Sequence, residues 1–270
     1  MWVSAGLGVL IGAILGMTGA GGGILAVPAL TFGMHLRMQQ AAPVALIAVA
    51  LGAAVGTLEG LRHGLVRYKA AALIAISGFP LVYVGQRLAQ FLPQALLQAA
   101  FASVMLLVAF RLYRQRATLA DGPVPKPAAR TQIHADSGKF VWTLSTASVL
   151  AAIGGLTGLV TGLLGVGGGF VIVPLLRKYT PLPMQGIVAS SLMVIALVGA
   201  SGVASALLQH ADIPWCVAAT FSATTILGML LGRRSIKALA PGHVQRGFSV
   251  VLTVVAAGLL WQAIRTLLIA

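Results

Sequence analysis

An uncharged, apolar stretch broken by a glycine cluster is written twice in this chain, and the duplication constrains its fold more than any other feature. The first copy reads Gly8-Val-Leu-Ile-Gly12-Ala-Ile-Leu-Gly16-Met-Thr-Gly19-Ala-Gly21-Gly22-Gly23 and continues to Pro28. The second reads Gly154-Gly-Leu-Thr-Gly158-Leu-Val-Thr-Gly162-Leu-Leu-Gly165-Val-Gly167-Gly168-Gly169 and continues to Pro174. Every one of these glycines from Gly8 onward, and the proline, has its mate at one constant offset, except Gly155. The correspondence runs on through Met38-Gln39 with Met184-Gln185 and Leu46 with Leu192. After a slip of one residue, Gly85, Arg87, Gln98 and Phe101 match Gly232, Arg234, Gln245 and Phe248. The chain is two copies of one unit. The apolar start resembles a secretion signal, but no basic residue precedes it and the same pattern recurs inside the chain, so it is expected to be structural.

The solvent of these copies follows from composition. The chain has 270 residues, of which 59% are hydrophobic and only 8% charged, with a mean hydropathy of +0.98. A soluble domain is about one-quarter charged, so the expected surroundings are a lipid bilayer, with room for roughly seven or eight spans of about 20 residues. A net charge of +14 often signals nucleic acid. Here the basic residues fall in the short gaps between apolar runs, where membrane topology puts them, and no nucleic-acid partner is expected. The single cysteine, Cys216, allows no internal disulfide and frames no metal site, and is expected to pack in the interior. No cofactor is expected either.

The organisation read from these runs is a first membrane repeat over 1–112, a cytoplasmic linker over 113–140 with Pro123, Pro125 and Pro127, and a second membrane repeat over 141–270. Charge chooses between two topologies. If each glycine-broken segment crosses the membrane once, the basic residues divide almost evenly between the two faces. If each enters and returns to the same side, three further crossings complete each repeat and the copies are inverted. The linker face then collects all 18 basic residues except Arg37, Arg87 and Arg265. The positive-inside rule favours the second arrangement, with both termini outside. The predicted fold class is therefore an all-α polytopic membrane protein of two homologous, inverted repeats, each a glycine-broken first element plus three spanning helices. Internal symmetry of this kind marks the central site of many secondary transporters.

The glycines divide into two groups. Gly8, Gly12 and Gly16, like Gly154, Gly158 and Gly162, recur every four residues and make a smooth stripe for close helix packing. The inner clusters, Gly19, Gly21, Gly22 and Gly23 in one copy and Gly165, Gly167, Gly168 and Gly169 in the other, can turn the backbone and expose N–H groups. Freed backbone groups are tolerated in a membrane only where protein buries them or water reaches them. A helix begins after each cluster, so its N–H groups and dipole face the turn, which is an anion site in principle. A purely structural turn is the plainer alternative. Thr18 adds a hydroxyl in the first copy, where the second has Leu164. Pro28 and Pro174 limit or kink the helices that follow. Neither cluster continues as a nucleotide P-loop or at dinucleotide spacing.

The Gly-x-Gly-Gly-Gly followed by four apolar residues and a proline, twice in two halves of this size, resembles the sulfite exporter TauE/SafE family over essentially the whole chain. The resemblance implies a multi-pass bacterial inner-membrane transporter of small anions such as sulfite, sulfonates, sulfoacetate or related carboxylates. The family's polar pair corresponds here to Ser190-Ser191, whereas the first half carries Val44-Ala45 at that place. The expected substrate-binding set is thus the two inner clusters with Thr18, Ser190 and Ser191.

Other polar residues offer second roles beside plain ones. Glu59, the only acid inside an apolar run, is a candidate for coupling to protons, or it pairs at the interface with Arg62 or His63. His63, His210 and Asp212 are expected to cap loops, with a proton switch as the alternative. Arg87 and Arg234 either grip an oxyanion or set topology. The run from Thr220 to Thr225 either faces a wet pathway or bonds its own helix. Gln39 and Gln185 frame entrances or cap helices. No metal spacing or catalytic triad lies in the spans, so an enzyme is not expected; an anion channel and a membrane-embedded enzyme or assembly factor are the rivals, and a homo-oligomer is compatible with the sequence.

Overall fold

The computed structural model describes residues 2–18, 22–120, 143–180, 182–235 and 241–269. Gly19, Gly21 and linker residues 121–140 lie outside the described residues. All regular structure in that set is helical: α1 (Trp2–Thr18), a short 3-10 turn (Gly22–Leu25), α2 (Ala26–Met34), α3 (Met38–Arg62), α4 (Tyr68–Phe91), α5 (Gln94–Ala120), α6 (Leu144–Leu164), α7 (Gly169–Tyr179), α8 (Met184–Leu208), α9 (Trp215–Ser235) and α10 (Pro241–Ile269). Seven of these are long and apolar enough to cross a membrane: α3, α4, α5, α6, α8, α9 and α10. With no water in the hydrocarbon to satisfy a peptide group, a helix is how an isolated segment crosses it. The α6 helix reaches span length unaided, whereas α1 with its 17 residues does not, so the two broken elements differ in length.

Each half contributes the same five helices in the same order, and equivalent helices exchange partners. The α1 helix packs on α9 of the other half, and its mate α6 packs on α4. The α3 and α8 helices pack on each other, as do α5 and α10. The glycine stripes make the first two contacts, as the sequence leads one to expect. A Cβ on Gly12 would fall on the Thr225 backbone, and one on Gly158 on the Gly78 backbone. In both crossings main chain touches main chain, the approach that small residues permit between membrane helices.

The directions of the helices are legible in the same contacts. Gly8, Gly12 and Gly16 meet Phe221, Thr225 and Met229 in turn, so α1 and α9 run parallel. Gly154, Gly158 and Gly162 meet Ile74, Gly78 and Val82, so α6 and α4 do the same. By contrast, Gly60 faces Ala189, Gly56 faces Leu192 and Gly199 faces Ala50: the repeat-equivalent α3 and α8 are antiparallel. The first broken element doubles back, with Gly22 against Leu15 and Gly33 against Leu7.

Apolar side chains cover the outside as well as the inside. Ile76, Phe79, Phe110 and Val254 are exposed on the spanning helices, as a surface facing lipid tails requires, and Trp2 and Trp215 stand at helix ends where interfacial aromatics gather. Cys216 corrects the expectation of interior packing: it is exposed in the first turn of α9, which presents that face outward.

Candidate functional site

The two glycine turns meet at the middle of the bundle. A Cβ on Gly23 would lie 3.1 Å from the Val166 carbonyl oxygen and 3.1 Å from Val49 Cγ1. One on Gly167 would lie 3.3 Å from the same Val49 atom and 3.2 Å from Ile195 Cγ2. Val49 and Ile195 are themselves repeat mates, each near the midpoint of α3 or α8.

The second turn is built from left-handed backbone. Gly165, Gly167 and Gly168 have φ of 72°, 74° and 69°, a region that costs residues bearing a Cβ and that glycine enters freely. The α6 helix ends as the Gly165 N–H donates to the Thr161 carbonyl at 2.8 Å. The α7 helix starts as the Val171 and Ile172 N–H groups both donate to the Gly168 carbonyl, at 2.9 and 3.1 Å. The N–H groups of Gly169 and Phe170 are the first-turn donors left without an intrahelical acceptor, at the positive end of the α7 dipole. All of Gly165–Phe170 is buried.

Two buried threonines missed by the sequence reading stand beside this turn, Thr161 with its hydroxyl toward Gly168 and Thr157 with its methyl. Thr157 and Thr161 on α6 are both 0% exposed, and neither Oγ1 has a hydrogen-bond partner. A Cβ on Gly168 would lie 2.7 Å from Thr161 Oγ1 and would also strike the Thr157 side chain. The repeat could have flagged them: they occur one and two turns before Gly165, where the first copy has Ile11 and Leu15.

The first turn is different. Thr18 Oγ1 donates to the Ile14 carbonyl at 2.7 Å and accepts the Gly22 N–H at 3.1 Å. That hydroxyl, expected among the ligand groups, is spent on closing its own turn. Pro28 is the third residue of α2, where its missing N–H has no intrahelical partner to lose.

Ser190 and Ser191 are buried on α8 but away from the turns in their bonding. Ser190 Oγ accepts the Arg67 backbone N–H at 2.9 Å, tying α8 to the start of α4, and Ser191 Oγ donates to the Val188 carbonyl at 2.8 Å. Beside Ser190, Arg67 Nε is buried without a partner.

A pair of polar clamps brackets the centre. Glu59 on α3 forms an ion pair with Arg233 on α9, not with Arg62 or His63 as its position in the sequence suggests. At the repeat-equivalent place between α8 and α4, Gln86 Nε2 donates to the Gly202 carbonyl at 2.8 Å, and Gln209 Nε2 donates to Ser205 Oγ at 2.9 Å and to Gln86 Oε1 at 3.3 Å. Ser205 is the repeat mate of Glu59, and Gln86 that of Arg233 after the one-residue slip. Because α3 and α8 are antiparallel, the clamps lie toward opposite ends of the bundle. Each is ten residues along its helix from Val49 or Ile195, about 15 Å at the helical rise.

The remaining candidates take plain roles. His63 Nδ1 lies 2.8 Å from the Glu59 carbonyl at the end of α3, His210 closes α8 with its N–H on the Leu207 carbonyl, and Asp212 accepts a bond from Gln40. Arg87 donates to the Tyr83 hydroxyl and stacks 5.6 Å above its ring, while Arg234 is exposed. Thr220, Thr224 and Thr225 bond carbonyls of their own helix. Gln39 and Gln185 are exposed in the first turns of α3 and α8. Among the described residues no group of three or more His, Cys, Asp or Glu is placed to hold a metal ion.

Comparison with known proteins places this geometry in context. The family model of the sulfite exporter TauE/SafE matches residues 4–259. A "Probable membrane transporter protein" of Xylella fastidiosa (strain Temecula1 / ATCC 700964) is 27% identical over 97% of this chain and 95% of its own length. The "Probable membrane transporter protein YunE" of Bacillus subtilis (strain 168) is 24% identical over 96% of each chain. A relative of the same printed description from Methanocaldococcus jannaschii is 25% identical over 92% of this chain and 91% of its own. No solved structure matches the chain.

Proposed function

Because the chain belongs to the sulfite exporter TauE/SafE family and is a multi-pass membrane transporter, we propose that it carries a small sulfur-containing or carboxylated anion across the bacterial inner membrane by alternating access. The observation that carries this reading is the meeting of the two glycine-broken elements at the centre, with a polar clamp toward each end. A carrier has to hold its substrate between two barriers that do not open together, and the bundle has one hydrogen-bonded closure on either side of the junction. The antiparallel course of α3 and α8 supports inverted repeats, since mates related by an axis along the membrane normal would run parallel. The doubling back of the first element supports a segment that enters and returns.

The clamps give the two ends different chemistry. The α3–α9 end, on the linker face in this topology, is held by opposite charges; the other end is held by neutral amides and a hydroxyl. A proton delivered to Glu59 would release Arg233 and open the charged end, which is the route by which a proton gradient would couple to the cycle. The glycine turns supply backbone donors for the anion, with Ser190 near the charged end.

The test is flux in proteoliposomes with labelled sulfite, methanesulfonate, sulfoacetate and acetate. The expected result is saturable uptake of at least one of them, accelerated by the same anion trapped on the opposite side. Flux that rises linearly with concentration and ignores trapped anion would establish a channel instead, and absence of flux for all four would remove the anion reading.

A further inference from the structure

The two halves match in backbone but not in side chains at the centre. In the first copy Thr18 Oγ1 accepts the Gly22 N–H, and the positions equivalent to Thr157 and Thr161 are Ile11 and Leu15, both buried and apolar. The second turn has Leu164 at the place of Thr18, and beside it stand Thr157 and Thr161 of α6, whose buried hydroxyls have no hydrogen-bond partner. A helical threonine ordinarily bonds the carbonyl one turn back, as Thr18, Thr31, Thr57 and Thr225 do in this chain. Thr157 and Thr161 forgo that bond in a fully buried position, which is costly unless something else takes up the donors.

We infer that Thr157 and Thr161, together with the N–H groups of Gly169 and Phe170, form a one-sided binding site for a singly charged oxyanion. The inference deepens the proposed anion transport and rests on it. The site offers four donors, two hydroxyls and two backbone N–H groups at a helix N-terminus, and an oxyanion offers acceptors only. Its far wall is apolar, Val49 and Ile195 beside Gly167. No lysine or arginine occurs between Gly154 and Leu176, and none is among the residues that a Cβ on Gly165, Gly167 or Gly168 would meet. The cost of desolvating an ion grows steeply with its charge, and dipoles without a full positive charge offset one negative charge far better than two. An alkylsulfonate or hydrogensulfite therefore suits the site, its oxygens toward the threonines and its apolar or protonated side toward Val49 and Ile195. Sulfate does not.

The experiment uses the purified full chain in detergent and follows its thermal unfolding with methanesulfonate or sulfate added, for wild type, Thr157→Val, Thr161→Val and the two Thr→Ser variants. Methanesulfonate is expected to raise the midpoint of the wild type, and sulfate to do so much less. Each valine variant is expected to bind methanesulfonate about tenfold more weakly or worse, while the serine variants keep the effect. Without ligand the valine variants are expected to unfold at the same temperature as wild type or higher, because valine fills the site without an unpaired hydroxyl; this separates a ligand role from a structural one. A methanesulfonate effect that survives both valine substitutions, or an equal effect from sulfate, would overturn the site while leaving anion transport standing. No effect from either anion on the wild type, alongside absent flux, would take down both.

Discussion

Replacing Gly158 with alanine tests whether the main-chain contact between α4 and α6 is what the glycine stripe is for. The new Cβ would lie 2.7 Å from Gly78 Cα and 2.8 Å from Gly78 C, where ordinary contact begins at 3.4 Å. The obstruction is backbone, with the Gly78 carbonyl oxygen closer still, so no side chain can turn aside and the two helices have to separate by more than about 0.7 Å, at the cost of about 1–3 kcal/mol for overpacking. Alanine recovers about 0.5–1 kcal/mol of helix propensity relative to glycine, which leaves a net loss. Gly6 is the control, since it too is inside a helix but a Cβ there meets nothing within 4 Å. There alanine keeps its gain, about 0.5–1 kcal/mol. The expected signs are opposite: Gly158→Ala lowers the unfolding temperature of the detergent-solubilised protein and Gly6→Ala raises it. If Gly158→Ala were as stable as Gly6→Ala, the close crossing described here would be wrong.

Thr18→Val removes the acceptor of the Gly22 N–H and is expected to cost about 0.5–1.5 kcal/mol of stability with the affinity for methanesulfonate unchanged, the reverse of Thr157→Val; titration and thermal unfolding of the same samples check both. Glu59→Gln breaks an ion pair whose side chains are 55% and 23% exposed, so its effect on stability is expected to stay below about 1 kcal/mol. In a Cys216→Ser background it should nevertheless speed thiol labelling of a cysteine at Val49 from the linker side, and Gln86→Leu should do so from the opposite side; labelling from the same side in both would contradict the two-clamp reading. A reporter fused after Ala270 is expected outside, and its activity in the cytoplasm would contradict the inverted topology.

Much of the architecture is legible without coordinates, for a reason that lies in the solvent. In a bilayer each segment must satisfy its own peptide groups, so a run of apolar residues specifies a helix by itself, and a glycine cluster within one specifies a break by itself. The duplication is likewise a property of the string. What surrounds each residue across the repeat boundary is another matter. Gly12 gives no hint that its partner is Thr225, because that pairing arises only when α1 leaves its own half to lie on α9. Glu59 reads as a neighbour of Arg62, yet finds Arg233 far along the chain.

The candidate site divides in the same way. Its backbone, the left-handed turn at Gly165–Gly168 ahead of α7, follows from glycine's local freedom and was open to sequence reasoning. Its side chains were not: Thr18 looks like a ligand group and is spent on Ile14 and Gly22, while Thr157 and Thr161 look like ordinary helix residues and stand unpaired. Local sequence determines where a chain can bend and expose its donors. Which hydroxyls remain free at that bend is decided by every other group that competes for them, and only the folded bundle brings those groups within reach.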